Sequence, residues 1–399
     1  MHCKKNISFV LILFFTFLLQ AEMLAQATFE GLGHLPPGMD VWSSAFGVSA
    51  DGLVVVGWSD DDVITKAFRW TELGGMEDLG GLPGTFDDTE ARSTSTDGSV
   101  VVGFSKSGHP NIPEAFRWTS GDMVGLGFLP GINSRSYASD VSSDGLVVVG
   151  RGQSGNPQVT EAFRWTQSGG MIGLGFLSSI ILQSEAYGVS SDGSVVVGRS
   201  RTDNNLDEAF IWTESGGMVG LGDLPGGVGI SRAYDVTPDG LIVVGSATGP
   251  NGLELFRWTS AGGMEGLGNR GGTIGPGPYA VSADGSVIVG TLDANDSVFI
   301  YTDADGIRNL KEVLESDFGL DLSDWTLDYA REISDDGKVI VGVGRHPNGI
   351  REAWRVILIG SQVSNGTIRT VATSATQRTG WVARCQMKTN SQSSIQQVA

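Results

Sequence analysis

The chain repeats itself. The phrase Val48-Ser49-Ala50-Asp51-Gly52-Leu53-Val54-Val55-Val56-Gly57 returns around Asp97-Gly98, Asp144-Gly145, Asp192-Gly193, Asp239-Gly240, Asp284-Gly285 and Asp336-Gly337. Successive turn aspartates lie 46, 47, 48, 47, 45 and 52 residues apart. Seven copies at one period restrict the chain to architectures in which identical small units stack on one another.

Each copy reads as four strands. The first, such as Ala186 to Ser190, alternates small or polar with apolar residues and runs into an Asp-Gly turn, where glycine accepts a positive φ. The second, Val-Val-Val-Gly, is a β-branched run suited to burial on both faces. The third is Ala-Phe-Arg-Trp-Thr at 67–71, 115–119 and 162–166, and Ala209-Phe210-Ile211-Trp212-Thr213 in a fourth copy. Its period of two puts Phe and Trp on one face and Ala, Arg and Thr on the other. A Gly-Gly turn such as Gly169-Gly170 leads to a short fourth strand at 171–175. Glycine at 59 of 399 residues fits so many turns and disfavours long helices. Apolar residues at 40% exclude a disordered chain.

A four-stranded unit of this size leaves its aromatic face uncovered, and seven of them predict an all-β fold, a seven-bladed β-propeller over residues 28–359. The phrase Leu-Gly-x-Leu-Pro-Gly ends the fourth strand at Leu126–Gly131 and Leu221–Gly226. It also stands alone, without its final Gly, at Leu32-Gly33-His34-Leu35-Pro36. The seventh copy, whose third strand is Ala353-Trp354-Arg355-Val356, has no such phrase after it. The N-terminal segment Phe29–Gly33 is therefore expected to complete the last blade, which removes the open sheet edges.

Residues 1–27 read as a signal peptide. Lys4 and Lys5 precede an apolar run from Ile7 to Leu19, too short to span a bilayer, and Ala25-Gln26-Ala27 offers the small-x-small cleavage pattern. Cleavage is placed after Ala27, with Ala21 and Ala25 also fitting. The expected location is secreted or extracellular, at the cell surface or in the periplasm. Cys3 lies in the leader and Cys385 in the polar stretch 360–399, so the body has no disulfide and relies on core burial. That stretch is rich in Ser, Thr, Gln and Asn and reads as a disordered tail. Without leader and tail, 20 basic residues face 44 acidic ones between 28 and 359, a net charge of −24. Such a surface disfavours nucleic acid and anionic membranes as partners.

The Val-Ser-x-Asp-Gly-x-Val-Val-Val-Gly and Ala-Phe-Arg-Trp-Thr phrases resemble the HAF-type extracellular repeat family of bacterial secreted proteins. The segment Gly319-Leu320-Asp321-Leu322-Ser323-Asp324-Trp325, with Ile340-Val341-Gly342 and Glu352-Ala353-Trp354, is similar to that family's C-terminal repeats. The resemblance covers residues 29–357 and implies export and a propeller-like fold, with no particular activity. One departure is consistent. The family's His before Ala-Phe is Lys66, Glu114, Glu161, Glu208, Glu254, Ser297 and Glu352 here.

The first-to-second and third-to-fourth turns are short and nearly constant. The second-to-third and blade-crossing loops vary, and in an up-and-down sheet both emerge on one end. That variable-loop face is the expected binding face. Its candidate residues are Trp58, Asp60, Asp61 and Asp62 in the first variable loop, with Asp87, Asp88 and Glu90 in the next crossing loop. These carboxylates are either a solvated rim or an oxygen-rich Ca²⁺ site; no other cofactor is expected. The position four before each turn Asp carries Gly47, Ser93, Asp140, Gly188, Asp235, Ala280 and Glu332. If it faces a central channel, Asp140, Asp235 and Glu332 form a sparse acidic ring. The turn Asp residues and their preceding Ser or Thr recur in every copy and read as structural, and the third-strand Trp residues as packing between blades. Trp42, Trp58 and Trp325, outside that register, are expected to be exposed contacts. Leu310-Lys311-Glu312-Val313-Leu314 has helical spacing. His34, His109 and His346 lack metal-ligand spacing, and no nucleophile elbow or phosphate loop occurs.

The reading these residues favour is a non-catalytic, monomeric binding scaffold for a protein or glycan. Two alternatives remain open: an exported polysaccharide lyase or hydrolase with carboxylates at the channel mouth, and a cell-surface structural protein.

Overall fold

Seven four-stranded antiparallel sheets follow one another along the chain in the computed structural model. It describes residues 26–370 apart from 36–40, 61–63, 84–87, 107–111, 132–134, 156–158, 251, 270–279, 293–296, 347, 360 and 365–366. Blade 1 runs from Trp42–Val48 to Gly75–Asp78, and blade 3 from Ser136–Val141 to Gly170–Gly173. Blade 7 takes its three inner strands from Thr326–Ile333, Val339–Arg345 and Arg351–Ile359, and its outer strand from Gln26–Gly31. The chain is a seven-bladed β-propeller closed by its N-terminal strand.

The packing between blades follows from the period of two. Phe68 and Trp70 of blade 1 lie against Val339, Val341 and Ala353 of blade 7. On the other face of blade 1, Val54, Val56 and Ala67 receive Phe116 and Trp118 of blade 2. Each blade thus offers an aromatic face backwards and a Val/Ala face forwards, a rule that only a ring satisfies for every member. The five phenylalanines Phe68, Phe116, Phe163, Phe210 and Phe256 are fully buried, each stabilising by roughly 1.5–3 kcal/mol.

Polar staples fix the turn within each blade and tie neighbouring blades together. In the first copy, Ser49 Oγ donates to Asp51 Oδ1 at 2.6 Å and accepts from Val54 N–H at 2.9 Å. The turn glycine is required twice over. Gly98 has φ +67, and a Cβ there would meet Val54 Cγ2 at 2.4 Å. The third-strand arginines tie into the next blade's turn: Arg69, Arg117 and Arg164 donate from Nε to the carbonyls of Gly98, Gly145 and Gly193.

The closing strand pairs from Gln26↔Ile359 to Gly31↔Trp354. The residues just beyond this strand reproduce the ordinary blade junction. In blade 3's junction with blade 2, Ser136 Oγ donates to Gly127 O at 2.7 Å and accepts from Ala115 N–H at 2.9 Å. At the closure, Ser43 Oγ donates to Gly33 O at 2.7 Å and accepts from Ala353 N–H at 2.9 Å. The glutamates standing where the resembled family has His take part as well. Glu114, Glu161 and Glu208 accept from the N–H groups of Gly127, Gly175 and Gly222, and Glu352 accepts from Gly33 N–H at 2.8 Å. The helix Leu310–Ser316, capped by Asn309, buries Leu310, Val313 and Leu314 beside blade 7.

One expectation is modified. Trp325 is not an outward contact: it packs on Phe29 at 4.9 Å and His346 at 4.1 Å, sealing the closure. Within the stretch 360–399, Ser361–Ser364 pairs with Thr367–Thr370. The ladder also includes Ala27, which is buried opposite Leu358, so cleavage after Ala27 would shorten it. The leader 1–25 and the stretch 371–399 lie outside the described residues.

Candidate functional site

The inner strands depart from strict alternation at one recurrent place. Pairing with the second strand slips between Ala45/Gly47, Ala91/Ser93, Ala138/Asp140, Ala186/Gly188 and Ala233/Asp235, and again between Ala330/Glu332. A bulge of this kind re-aims the extra residue. The six bulged residues are Phe46, Arg92, Ser139, Tyr187, Tyr234 and Arg331, and all six line one cavity of roughly 360 Å³. The corresponding residue of blade 6, Tyr279, lies outside the described residues. The cavity sits in the half of the channel where the inner strands begin. There Ser136 pairs with Gly152 near the second-to-third loop, so the cavity opens toward the variable-loop end.

Its wall is aromatic and cationic. Arg92 and Arg331, from the blades on either side of blade 1, place their guanidinium carbons 4.3 and 4.7 Å from the Phe46 ring centre. Arg92 donates to Glu90 at 2.5 Å. Arg151 lies 4.9 Å from the Tyr137 ring and 3.1 Å from Glu185. Glu185 also holds Arg199 at 2.6 Å, and the buried Asp207 gathers Arg199, Arg201 and Arg232. Burial pulls the Asp207 carboxyl upward, but these cations hold it below the ordinary value. Tyr187 and Tyr234 stack at 5.7 Å. Burial, with Glu185 adjacent, pushes the Tyr187 hydroxyl pKa up.

Arg331 differs from its neighbours. Its Nε is closed off from solvent and meets no hydrogen-bond acceptor, and among the described residues no carboxylate pairs with it. Its neighbours are the Phe46 ring and the Tyr329 ring, the latter at 4.3 Å. Burial lowers its pKa to about 10, with the like charges of Arg92 and Arg351 adding to the effect and Tyr329 opposing it.

The predicted acidic ring is present and forms the waist of the channel. Asp140, Asp235 and Glu332, with Ser93, line both this cavity and a second one of roughly 100 Å³ toward the short turns. The carboxylates cap inner-edge amides that face the channel. Asp140 accepts from Val189 N–H in blade 4 at 2.9 Å and from Ser93 Oγ at 2.6 Å, and Asp235 accepts from Val281 N–H in blade 6 at 2.9 Å. Desolvation raises all three pKa values. Asp235, further penalised by the charge of Asp140, is pushed up to about 7, and Glu332 is raised well above the ordinary glutamate value.

The acids of the first variable loops fare differently. Asp61, Asp62 and Asp87 lie outside the described residues. Asp60 ends the second strand of blade 1, where Trp58 is half-buried opposite Ser44 and Ala67. Asp88 pairs with Lys106 and accepts from Thr65 N–H at 3.1 Å, contacts that outweigh burial and lower its pKa. Glu90, raised by burial, faces Arg92. Asp88 and Glu90 are thus engaged by cations, and among the described residues no cluster of His, Cys, Asp or Glu fits a metal ion. Of the three Trp residues expected to be exposed, Trp42 is 43% exposed.

No family model matches the chain, and no curated protein matches it. Solved structures do. An oligogalacturonate lyase in complex with manganese aligns with a TM-score of 0.54 at 14% identity, over 84% of this chain and 94% of that one. The β-propeller domain of the Trilobed protease from Pyrococcus furiosus, described as having an open velcro topology, aligns at 0.51 and 13%, over 79% and 95%. A TolB from Acinetobacter baumannii aligns at 0.39 and 16%; this chain spans about half of its length, 52%. The likeness to the lyase and to the Trilobed protease domain supports the propeller fold and nothing finer. No helix among the described residues is long and apolar enough to cross a membrane.

The bulge residues escape a sequence reading that follows strict alternation through the inner strand. A signal is present all the same. In six of the copies the residue after a fixed position (Ala45, Ala91, Ala138, Ala186, Ala233, Ala330) changes identity among Phe, Arg, Ser and Tyr. Variation at one register of a constant phrase marks a position the fold leaves free.

Proposed function

We propose that this protein is an exported, non-catalytic binding propeller whose ligand sits in the funnel at the variable-loop end of the channel. The observation that carries the reading is the convergence of six bulged side chains from six blades on one cavity. A fold that only needs to close has no use for differing aromatic and cationic groups at that register. The apolar leader and the cysteine-free body support export. The ladder starting at Gln26 favours cleavage after Ala25, which leaves the closing strand whole. The phrases shared with the HAF-type repeats support the same setting.

The waist carboxylates favour binding over catalysis, because Asp140 and Asp235 are committed to backbone amides. A second reading, an exported polysaccharide lyase or hydrolase, draws on one observation: Asp235, pushed up to about 7, has the pKa of a general acid or base. Glycan-array binding combined with product analysis separates the two. Binding without turnover, abolished by Ser139→Trp, which fills the cavity, is the expected result. Turnover that is lost in Asp235→Asn would establish the enzyme instead. Binding lost only on changing short-turn residues such as Thr96 or Ser143 would move the site to the other end of the channel.

A further inference from the structure

We infer that the funnel recognises a monovalent carboxylate carried on a sugar ring, a hexuronate, with Arg331 as the group that receives the carboxylate. The inference rests on the funnel being the binding site and adds the chemistry of what enters it.

The argument begins with a cost. A guanidinium taken out of water is expensive unless an anion or acceptors replace the lost hydration. Arg92 has Glu90 at 2.5 Å, and Arg151 has Glu185 at 3.1 Å. Arg331 has a shielded Nε without an acceptor and only ring faces beside it. The two ring faces repay part of that cost and supply no acceptor. The blade would close equally well with Ser, Tyr or Phe at this register, as blades 1, 3, 4 and 5 do. A site that withholds a partner from a desolvated cation is preorganised for an anion from outside.

The charge count selects the kind of anion. With Arg92 and Arg151 each facing a carboxylate, the uncompensated charge of the wall is that of Arg331. Arg92 stands near enough to share the ligand. The two guanidinium carbons are at most about 9 Å apart, the sum of their distances to the common Phe46 ring centre. One carboxylate matches one free cation, whereas a dianion such as a phosphate monoester would bring one charge that the wall leaves uncompensated. The rest of the cavity suits a sugar. Tyr187 and Tyr234 line the cavity as aromatic surface for C–H groups, and Asp235 and Glu332 line it as hydrogen-bonding partners for hydroxyls. A volume of roughly 360 Å³ lies at the lower end of small-ligand pockets.

The test is calorimetric titration of the leaderless chain with D-glucuronate, D-galacturonate and D-mannuronate, each against its neutral hexose. At least one uronate is expected to bind tenfold or more tightly than its hexose, a margin of about 1.4 kcal/mol. Arg331→Gln is expected to erase that margin while raising the melting temperature, since it removes an unpaired desolvated charge. Arg331→Lys, which keeps the charge and loses the planar fork, is the second variant and is expected to narrow the margin. No binding of any uronate, or a margin that survives Arg331→Gln, overturns the inference. Neutral sugars bound in the funnel with no preference for a carboxylate overturn it too, yet leave the binding reading standing. Ligands that bind wild type and Ser139→Trp equally refute both.

Discussion

Asp235→Asn should make this protein more stable, by an amount that grows as pH rises from about 4 to about 7. The Asp235 carboxyl sits at the channel waist, accepts Val281 N–H at 2.9 Å, and is pushed up to about 7 by burial and by the charge of Asp140. In the unfolded chain an aspartate titrates near 3.9. Between those values the folded state holds a proton that the unfolded state has lost. Its contribution is therefore fully present below about pH 4 and disappears as pH rises through about 7. Three pH units correspond to a ceiling of about 4 kcal/mol. Water reaching the carboxylate from the channel lowers this, and about 2 kcal/mol is expected at pH 8. Asn keeps the acceptor for Val281 N–H and carries no charge. Urea unfolding at pH 5 and pH 8 is the assay. Wild type should weaken between the two, and the variant, already slightly ahead at pH 5 because the unfolded aspartate is ionised there, should lead by about 2 kcal/mol at pH 8. A variant weaker than wild type at pH 8, or an equal effect at both pH values, would refute the desolvation argument.

Further substitutions test the junctions. Gly98→Ala combines a positive φ with a Cβ contact to Val54 at 2.4 Å and should cost more than 2 kcal/mol, whereas Gly75→Ala, at φ +66 with open space, should cost about 1 kcal/mol; denaturant midpoints compare the two. Glu352→Ala strips Gly33 N–H and His346 of their acceptor and should lower stability by about 1–3 kcal/mol. Protease sensitivity near residue 33 should rise with it. Phe210→Ala opens a cavity between blades 4 and 3 and should cost about 3–5 kcal/mol. The turn carboxylates act oppositely to Asp235. Asp97, held at about 2 by Ser95, Ser99 and a backbone amide, contributes stability that is lost as pH falls from about 4 toward 2, so Asp97→Asn should flatten the acid limb of the stability curve.

The architecture is readable because each blade is specified locally. The Asp-Gly turns, the period of two in Ala-Phe-Arg-Trp-Thr and the displaced Leu32-Gly33-His34-Leu35-Pro36 phrase each demand a neighbour, and together they demand a ring. The waist acids are readable as positions, Asp140, Asp235 and Glu332, but the role of Asp140 and Asp235 as caps of the Val189 and Val281 amides depends on which edge faces the channel. Arg92, Tyr187 and Arg331 stay hidden because one inserted residue reverses the face of everything beyond it, and nothing in a single strand announces the insertion. Trp325 misleads for a related reason. Its register lies outside the repeat, and its partners Phe29 and His346 come from opposite ends of the sequence.

The most direct test of the ring is a cross-link between its two ends. Thr28 and Ile357 are ladder partners in the closing blade, and the propeller itself contains no cysteine. In Thr28→Cys/Ile357→Cys, with Cys385 replaced by Ser, mild oxidation should give monomer whose peptide map joins positions 28 and 357. Free thiols at both positions after oxidation, or links formed only between chains, would contradict closure by the N-terminal strand.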